Sequence, residues 1–312
     1  MEIEEIDART APDEVLVRFH ELELVCHEEL QSGEPWRTRD EGIAFHRFLP
    51  TTTTIGHWLA DGGCAVLWMH TPTATFCEVL VHPERRRQGL GTALLARVVE
   101  RCRGLGVETL RGDHKSAAGA AFAARVGAVD EQRVVRSFLD LPAAELPEPR
   151  LPDGFRLVNW LGRVPDEHIE AYARARVAMD DAPAPEGMDF PAWDAEKIRA
   201  SEESLVRRGR EMRLTVAMDD AGEIGAFTEL RHSAGSVLGF TDDAGTVAAH
   251  RGKGLARAVK VESLRRLRDD HPEIEVVTTR NAEENGAMRH LNESIGFRPT
   301  VVETTAALAV GS

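Results

Sequence analysis

The sequence predicts an α+β protein built as two copies of one domain, on three observations. The hexapeptide Arg86-Arg87-Gln88-Gly89-Leu90-Gly91 reappears as Arg251-Gly252-Lys253-Gly254-Leu255-Ala256, 165 residues further along a chain of 312. Each copy follows an apolar run and opens an amphipathic one, the pattern of a strand-to-helix junction. Between them Pro142 to Pro152 is rich in prolines, which join neither a regular ladder nor a helix interior. The predicted layout is a first domain over 1–141, a linker over 142–152 and a second domain over 153–312, each long enough to bury its own core.

Taken in order, Pro12 to Leu30 reads as an amphipathic helix with Thr10 as candidate N-cap. Ile55 to Ala60 and Cys64 to Met69 form a hairpin around Asp61-Gly62-Gly63. Phe76 to Val81 is the strand entering the first glycine turn. Leu94, Leu95, Val98, Val99 and Cys102 then share one face of a helix starting near Gly89. Val107 to Arg111 is a strand, Ala117 to Val126 a helix, and Val134 to Leu141 closes the first copy. In the second, Phe155 to Val158 is a strand, followed by helices over roughly Asp166 to Met179 and Asp194 to Arg208. Strands at Arg213 to Met218 and Ile224 to Leu230 flank the turn Asp219-Asp220-Ala221-Gly222. Gly245 to Val247 lies on the strand entering the second glycine turn, and Leu255, Val259, Leu264 and Leu267 stripe the helix from Lys253 to Asp269. Val276 to Thr279 is a strand and Glu284 to Ser294 the last helix.

The repeated turn suits an anion. A helix N-terminus leaves backbone N–H groups unpaired and carries a partial positive charge. Gly89 and Gly91 lack a Cβ, so the backbone can approach a pyrophosphate and take dihedrals closed to other residues. Arg86 and Arg87 add charge at its mouth. One glycine turn of this kind is also common between ordinary strands and helices, with its arginines in solvent. Two at matching places favour the phosphate reading.

Val81-His82-Pro83-Glu84-Arg85-Arg86-Arg87-Gln88-Gly89-Leu90-Gly91 resembles motif A of the GNAT N-acetyltransferase superfamily. His250 to Ala256 resembles the same motif, with Ala248 where a proline is usual. Thr279 to Met288 and Asn292-Glu293-Ser294-Ile295-Gly296-Phe297 resemble motif B. The resemblance covers about Thr54 to Leu141 and Thr215 to Val302, a layout similar to that of the mycothiol synthases. It implies two tandem domains, each a mixed, mostly antiparallel sheet flanked by helices. It implies an acyl-CoA-dependent N-acyltransferase with acetyl-CoA or another acyl-CoA as co-substrate and no metal. The matching positions for the co-substrate are Val79, Val81, Arg86, Arg87, Gln88, Gly89, Gly91 and Thr92 in the first copy. In the second they are Thr246, Val247, Arg251, Gly252, Lys253, Gly254, Leu255 and Ala256, with Asn281 and Asn285 toward the pantetheine arm.

An alkylamine acceptor with a pKa near about 10 is protonated at neutral pH, so the reaction needs a base. Glu229, at the end of the apolar run Ile224 to Phe227, is the first candidate and Asp243 the second, with Asp242 beside it and Glu78 at the equivalent register of the first copy. Each could equally be an exposed strand-edge charge. Many family members place a tyrosine four residues before the Gly-Phe pair to protonate the leaving thiolate. Here Asn292 and Ala123 stand there, so the proton falls to water, His290 or a substrate group. Asn292 can hydrogen-bond the sulfur or the pantetheine but is no acid. The one tyrosine, Tyr172, reads as a packing residue. The second copy keeps Asn281 and Asn285, where the first has Asp113-His114-Lys115-Ser116. The second is therefore predicted catalytic and the first degenerate. The segment from Met179 to Trp193 is expected to be helical and to cover the acceptor site, with Asp180 and Asp181 available to a cation.

The net charge of −14 argues against a nucleic-acid binder, and it divides evenly: residues 1–150 hold 17 basic and 24 acidic side chains, the remainder 21 and 28. Four cysteines without a Cys-x-x-Cys spacing read as reduced thiols of a cytoplasmic protein. The acidic start lacks the basic and apolar regions of a signal peptide, and no apolar run is long enough to span a membrane. The expected partner is a small-molecule amine, and the chain a monomer or homodimer. Two alternatives to acyl-CoA turnover are an acyl carrier protein as donor and a non-catalytic acyl-CoA-binding module.

Overall fold

The computed structural model describes residues 2–30, 35–50 and 52–311. In the first half the elements are β1 (Glu4–Ile6), α1 (Asp13–Glu28), α2 (Arg39–Arg47), β2 (Thr54–Ala60), β3 (Gly63–Met69), β4 (Thr75–Val81), α3 (Leu90–Gly104), β5 (Thr109–His114), α4 (Ala117–Val126) and β6 (Val129–Asp140). The second half holds β7 (Phe155–Leu161), α5 (Ile169–Arg176), α6 (Ala195–Arg207), β8 (Arg210–Asp219), β9 (Ile224–Ser233), β10 (Leu238–Thr246), α7 (Leu255–Asp270), β11 (Val276–Ala282), α8 (Gly286–Ile295) and β12 (Arg298–Ala309).

These elements make two compact units, each from discontinuous chain. One comprises residues 1–134, 184–191 and 301–312, the other 135–183 and 192–300. A cut at residue 141 thus assigns two strands otherwise than the fold does. β6 from Val135 onward belongs with the second unit and β12 from Val301 onward with the first.

The first unit's strands run in the order β1-β2-β3-β4-β5-β12. β2, β3 and β4 are an antiparallel meander, β5 lies parallel to β4, and β12 pairs antiparallel with β5 from Thr304 opposite His114 to Ala309 opposite Thr109. Helix α3 lays Leu94, Val98 and Cys102 on Trp58, Ala65 and Leu67. Phe19 and Leu22 of α1 pack with Leu59, Cys64 and Val66. Alternation along β2 and β3 therefore feeds two apolar layers.

The second unit repeats this plan as β6-β11-β10-β9-β8-β7. Here β7 to β10 form the antiparallel meander and β11 runs parallel to β10. Tyr172 of α5 and Ile198 and Leu205 of α6 pack on Met212, Leu214, Val216 and Phe227. Val261, Leu264 and Leu267 of α7 pack with Leu139, Leu230, Val277 and Phe297. No helix among the described residues is long and apolar enough to cross a membrane.

Several elements differ from expectation. The helix α1 has Pro12, not Thr10, as its N-cap. Residues 180–194 are not helical beyond the short turn Val177–Met179; three prolines there, at 183, 185 and 191, remove the amides a helix needs. Ala184–Pro191 moreover joins the first unit, where Phe190 stacks with Phe76, its ring centroid 6.4 Å away, and the Asp189 carbonyl accepts from Thr71 at 2.7 Å. Helix α2, absent from the sequence reading, starts with a capping box of Thr38 and Glu41.

Candidate functional site

The two glycine turns share one backbone geometry. Gly89 and Gly254 are the N-caps of α3 and α7, with φ of 85° and 80°. Two residues earlier, Arg87 and Gly252 also take positive φ, 64° and 74°. A glycine costs nothing there, whereas Arg87 adopts a conformation unfavourable for an L side chain by about 1 kcal/mol. Neither Gly89 nor Gly254 would meet an atom within 4 Å if given a Cβ, so both cradles are open. At Gly91 the missing Cβ also makes room for the Phe122 ring, which a Cβ would meet at 3.3 Å.

The helix ends above these turns are left uncapped. Side chains of Thr38, Ser116, Asp194 and Asn285 cap α2, α4, α6 and α8, while α3 and α7, like α1 and α5, have no side-chain cap. The first intrahelical bonds run from Ala93 to the Gly89 carbonyl and from Ala258 to the Gly254 carbonyl. The amides of Leu90, Gly91 and Thr92, and of Leu255, Ala256 and Arg257, therefore precede the ladder and can bind an anion. The Leu255 side chain itself is buried in the core.

A second set of donors lies on the strands entering the turns. β4 meets β5 at Phe76 opposite Arg111, and β10 runs beside β11 from Leu238 to Thr241; beyond those points each parallel pair splays. The His82 amide bonds the Gly62 carbonyl and the Val247 amide the Gly225 carbonyl, both at 2.9 Å. Strand amides alternate in direction, so Val79 and Val81, and Ala244 and Thr246, turn theirs toward the open side. Val247, predicted to contact the co-substrate, has its amide committed to β9.

The leading arginines brace the turns. Arg86 bonds the Val81 carbonyl at 3.1 Å and both Glu29 oxygens at 2.7 and 2.6 Å. Arg251 bonds the Thr246 carbonyl at 3.3 Å and pairs with Asp181. Asp181 thus holds the turn, and the charges left toward a phosphate are Arg87 and Lys253. Gln88 bonds the Glu84 carbonyl at 3.3 Å and Lys253 touches His250 at 3.2 Å. Beside the second turn, Lys253, Gly254, Arg257 and Ala258 line a cavity of about 550 Å³ with the linker residues Pro147, Glu148, Arg150, Leu151 and Pro152.

The candidate bases lie in one charge cluster. Glu229 is 2% exposed, with Oε1 2.5 Å from Arg176 and Oε2 2.7 Å from Arg231, and it accepts from the Tyr172 hydroxyl. Burial opposes its ionisation, but the two guanidiniums and the hydroxyl outweigh it and hold it at about 2. So enclosed and strongly paired a carboxylate is poorly placed to take a proton in this structure. Asp243 sits in a bulge, where Thr241 to Ala244 of β10 face Leu230 to Thr228 of β9. It pairs with Arg176, yet its side chain keeps 32% exposure. Burial, with Glu229 and Asp242 nearby, pushes its pKa up against the pull of Arg176 and Arg231. Asp242 pairs with Arg231 at 2.7 Å. Three carboxylates against two guanidiniums leave one negative charge.

Motif B is knitted together. Asn292 is 2% exposed and donates to Asn281 at 2.7 Å, while its own Oδ1 is buried without a protein partner. Asn285 spends its carbonyl on the Met288 amide at 3.2 Å as the α8 cap. His290 faces solvent. In the first unit the corresponding residues are engaged otherwise: Asp113 accepts from Thr305 at 2.7 Å, Lys115 pairs with Glu303 at 3.3 Å and Ser116 caps α4. Its acid Glu78 has a pKa raised by burial and by Glu23. Open cradles, free strand and helix amides and the orphaned Asn292 oxygen together fit an acyl-CoA.

Known proteins resemble the chain in sequence and in fold. The acetyltransferase (GNAT) family model matches residues 16–127. The mycothiol acetyltransferase of Thermomonospora curvata is 31% identical over 229 residues, covering 72% of this chain and 71% of its own. That of Salinispora arenicola is 31% identical over 246 residues, 76% of each chain. The solved structure of a tandem GNAT protein from the clavulanic acid biosynthesis pathway superposes with a TM-score of 0.82 at 26% identity, over 100% of this chain and 99% of the other. With one glycine turn on each repeated unit and relatives that share most of its length, the chain belongs to the GNAT acetyltransferase family as a tandem member.

Proposed function

We propose that the protein transfers an acetyl or other short acyl group from acyl-CoA to the amine of a small molecule, and that the second unit carries the chemistry. The observation that supports it best is the Gly252–Gly254 turn, open and uncapped at the α7 N-terminus where β10 parts from β11. Amides 255–257 and Lys253 would hold the pyrophosphate, with Arg150 and Arg257 within reach of the nucleotide. The Thr246 and Ala244 amides and the Asn292 oxygen would face the pantetheine and thioester. Bound acyl-CoA supplies the activated carbonyl. Asp243 takes the proton from the amine, directly or through one water molecule, and Arg176 orients it. The uncompensated charge of the cluster favours a cationic acceptor over an anionic one. Asn281 fixes Asn292, which has no proton to give, so solvent protonates the leaving thiolate.

The test is thiol release from acetyl-CoA across an amine panel that includes the acceptor of the mycothiol acetyltransferases. Asp243→Asn is expected to lower kcat about 10²- to 10⁴-fold. In the parent, activity should fall as pH drops through a carboxylate pKa above the ordinary range, and the variant should lack that limb. A variant within about threefold of the parent rate removes Asp243 from the mechanism. A second reading, acyl-CoA binding without turnover, is favoured by the absence of an acid at Asn292; binding of acetyl-CoA with no thiol release on any amine would establish it.

A further inference from the structure

Glu211, His232 and His271 bring three ligand atoms to within 4.8 Å of one another, at the far end of the second unit from its glycine turn. The separation follows from the fold: His271 is the C-cap of α7, which begins at Leu255 and runs 16 residues, so about 24 Å of helix stands between turn and trio. Glu211 and His232 are directly opposed across β8 and β9. We propose that these residues form a zinc site that clips the end of α7 to the β8–β9 ladder.

The spacing of the three atoms admits a shared ion. His232 Nε2 and His271 Nε2 lie 3.2 and 3.3 Å from the same oxygen, Glu211 Oε1. Two atoms each 2.0–2.1 Å from a tetrahedral centre are about 3.3 Å apart. The other ring nitrogens are held as metal-bound imidazoles usually are, with His271 Nδ1 3.2 Å from Glu273 Oε1 and His232 Nδ1 3.4 Å from the Ser233 carbonyl. Both contacts direct Nε2 as the ligand.

The local charge is suitable as well. Arg213 approaches Glu211 to 3.9 Å but is paired with Asp270 at 2.6 Å. With Glu211 and Glu273 added, three carboxylates oppose one guanidinium, leaving two negative charges for a dication. Imidazole and carboxylate donors together suit zinc, with solvent as the fourth ligand. Glu211 and His271 keep side-chain exposures of 36% and 23%, which gives the ion a path in, whereas His232 is enclosed at 3%.

The test is calorimetric titration of tag-free, chelator-treated protein with zinc chloride, alongside thermal unfolding with and without the ion. One equivalent should bind and raise Tm, and both responses should vanish in His271→Ala and in Glu211→Gln. Both residues are partly exposed, so these variants should keep the parent's far-ultraviolet circular dichroism and still bind acetyl-CoA. No zinc binding by the parent would overturn the proposal. So would one equivalent bound equally by parent and both variants, which would place the ion elsewhere.

Discussion

Lys260 shows how a single residue sets a cost that the whole unit bears. It lies on α7 at 2% exposure, its ammonium 5.7 Å from the Phe297 ring, and burial lowers its pKa to about 8. The unfolded chain binds that proton more tightly, with a pKa near about 10.4, so the native state is penalised by about 3 kcal/mol wherever both forms are charged. The penalty is complete below pH 8 and fades as pH rises toward 10.5. Lys260→Met should therefore be more stable than the parent at pH 7 in urea unfolding, with the gap closing by pH 10.5. An equal gap at both values would mean that packing, not charge, decides it. Glu229 shows the same physics with its sign reversed. Its pKa is held at about 2, so the Arg176–Glu229–Arg231 network stabilises the fold above about pH 4.5 and that support is lost as pH falls toward 2. Nothing in the run Ile224 to Phe227 could show this, because Arg176 comes from α5 and Arg231 lies two residues beyond Glu229, on the same face of β9.

At the scale of elements, the glycine turns were legible in the sequence because their chemistry is local. Period-2 apolar runs, two glycines and a following helical stripe are all contiguous, and α4 and the β2–β3 hairpin were placed for the same reason. Their roles can be separated by experiment. Since neither Gly89 nor Gly254 has an atom within 4 Å of an added Cβ, a tryptophan there would fill the anion cradle rather than the core, at a backbone cost of about 1–2 kcal/mol. Gly254→Trp is expected to abolish acetyl-CoA turnover and Gly89→Trp to leave it largely intact, each checked for folding by circular dichroism. The opposite pattern would move the chemistry to the first unit and to Glu78. The bracing of Arg86 by Glu29 and of Arg251 by Asp181 escaped a sequence reading because each carboxylate lies many residues away with no spacing rule. The same holds for Glu211, His232 and His271, separated by 21 and 39 residues with no metal-binding spacing. Three-dimensional convergence alone joins them.

For the whole molecule, a sequence repeat reveals the number of units but not which strands fill them. The first unit takes its last strand from Val301 onward, secured by the β5 ladder and by Arg103, which donates to the Val310 and Gly311 carbonyls at 3.0 and 3.1 Å. Deleting residues 301–312 should therefore expose β5 and speed hydrogen exchange at Leu110 and Gly112, while α7 and β9 stay protected. Unchanged exchange along β5 would show that the unit is complete without its last strand. The arrangement also has a consequence for biosynthesis. A chain emerging from the ribosome makes β5 early and must wait for nearly two hundred further residues before its neighbour exists. The first unit to be translated is then the last to be finished, and in the interval a chaperone has an open strand edge to guard.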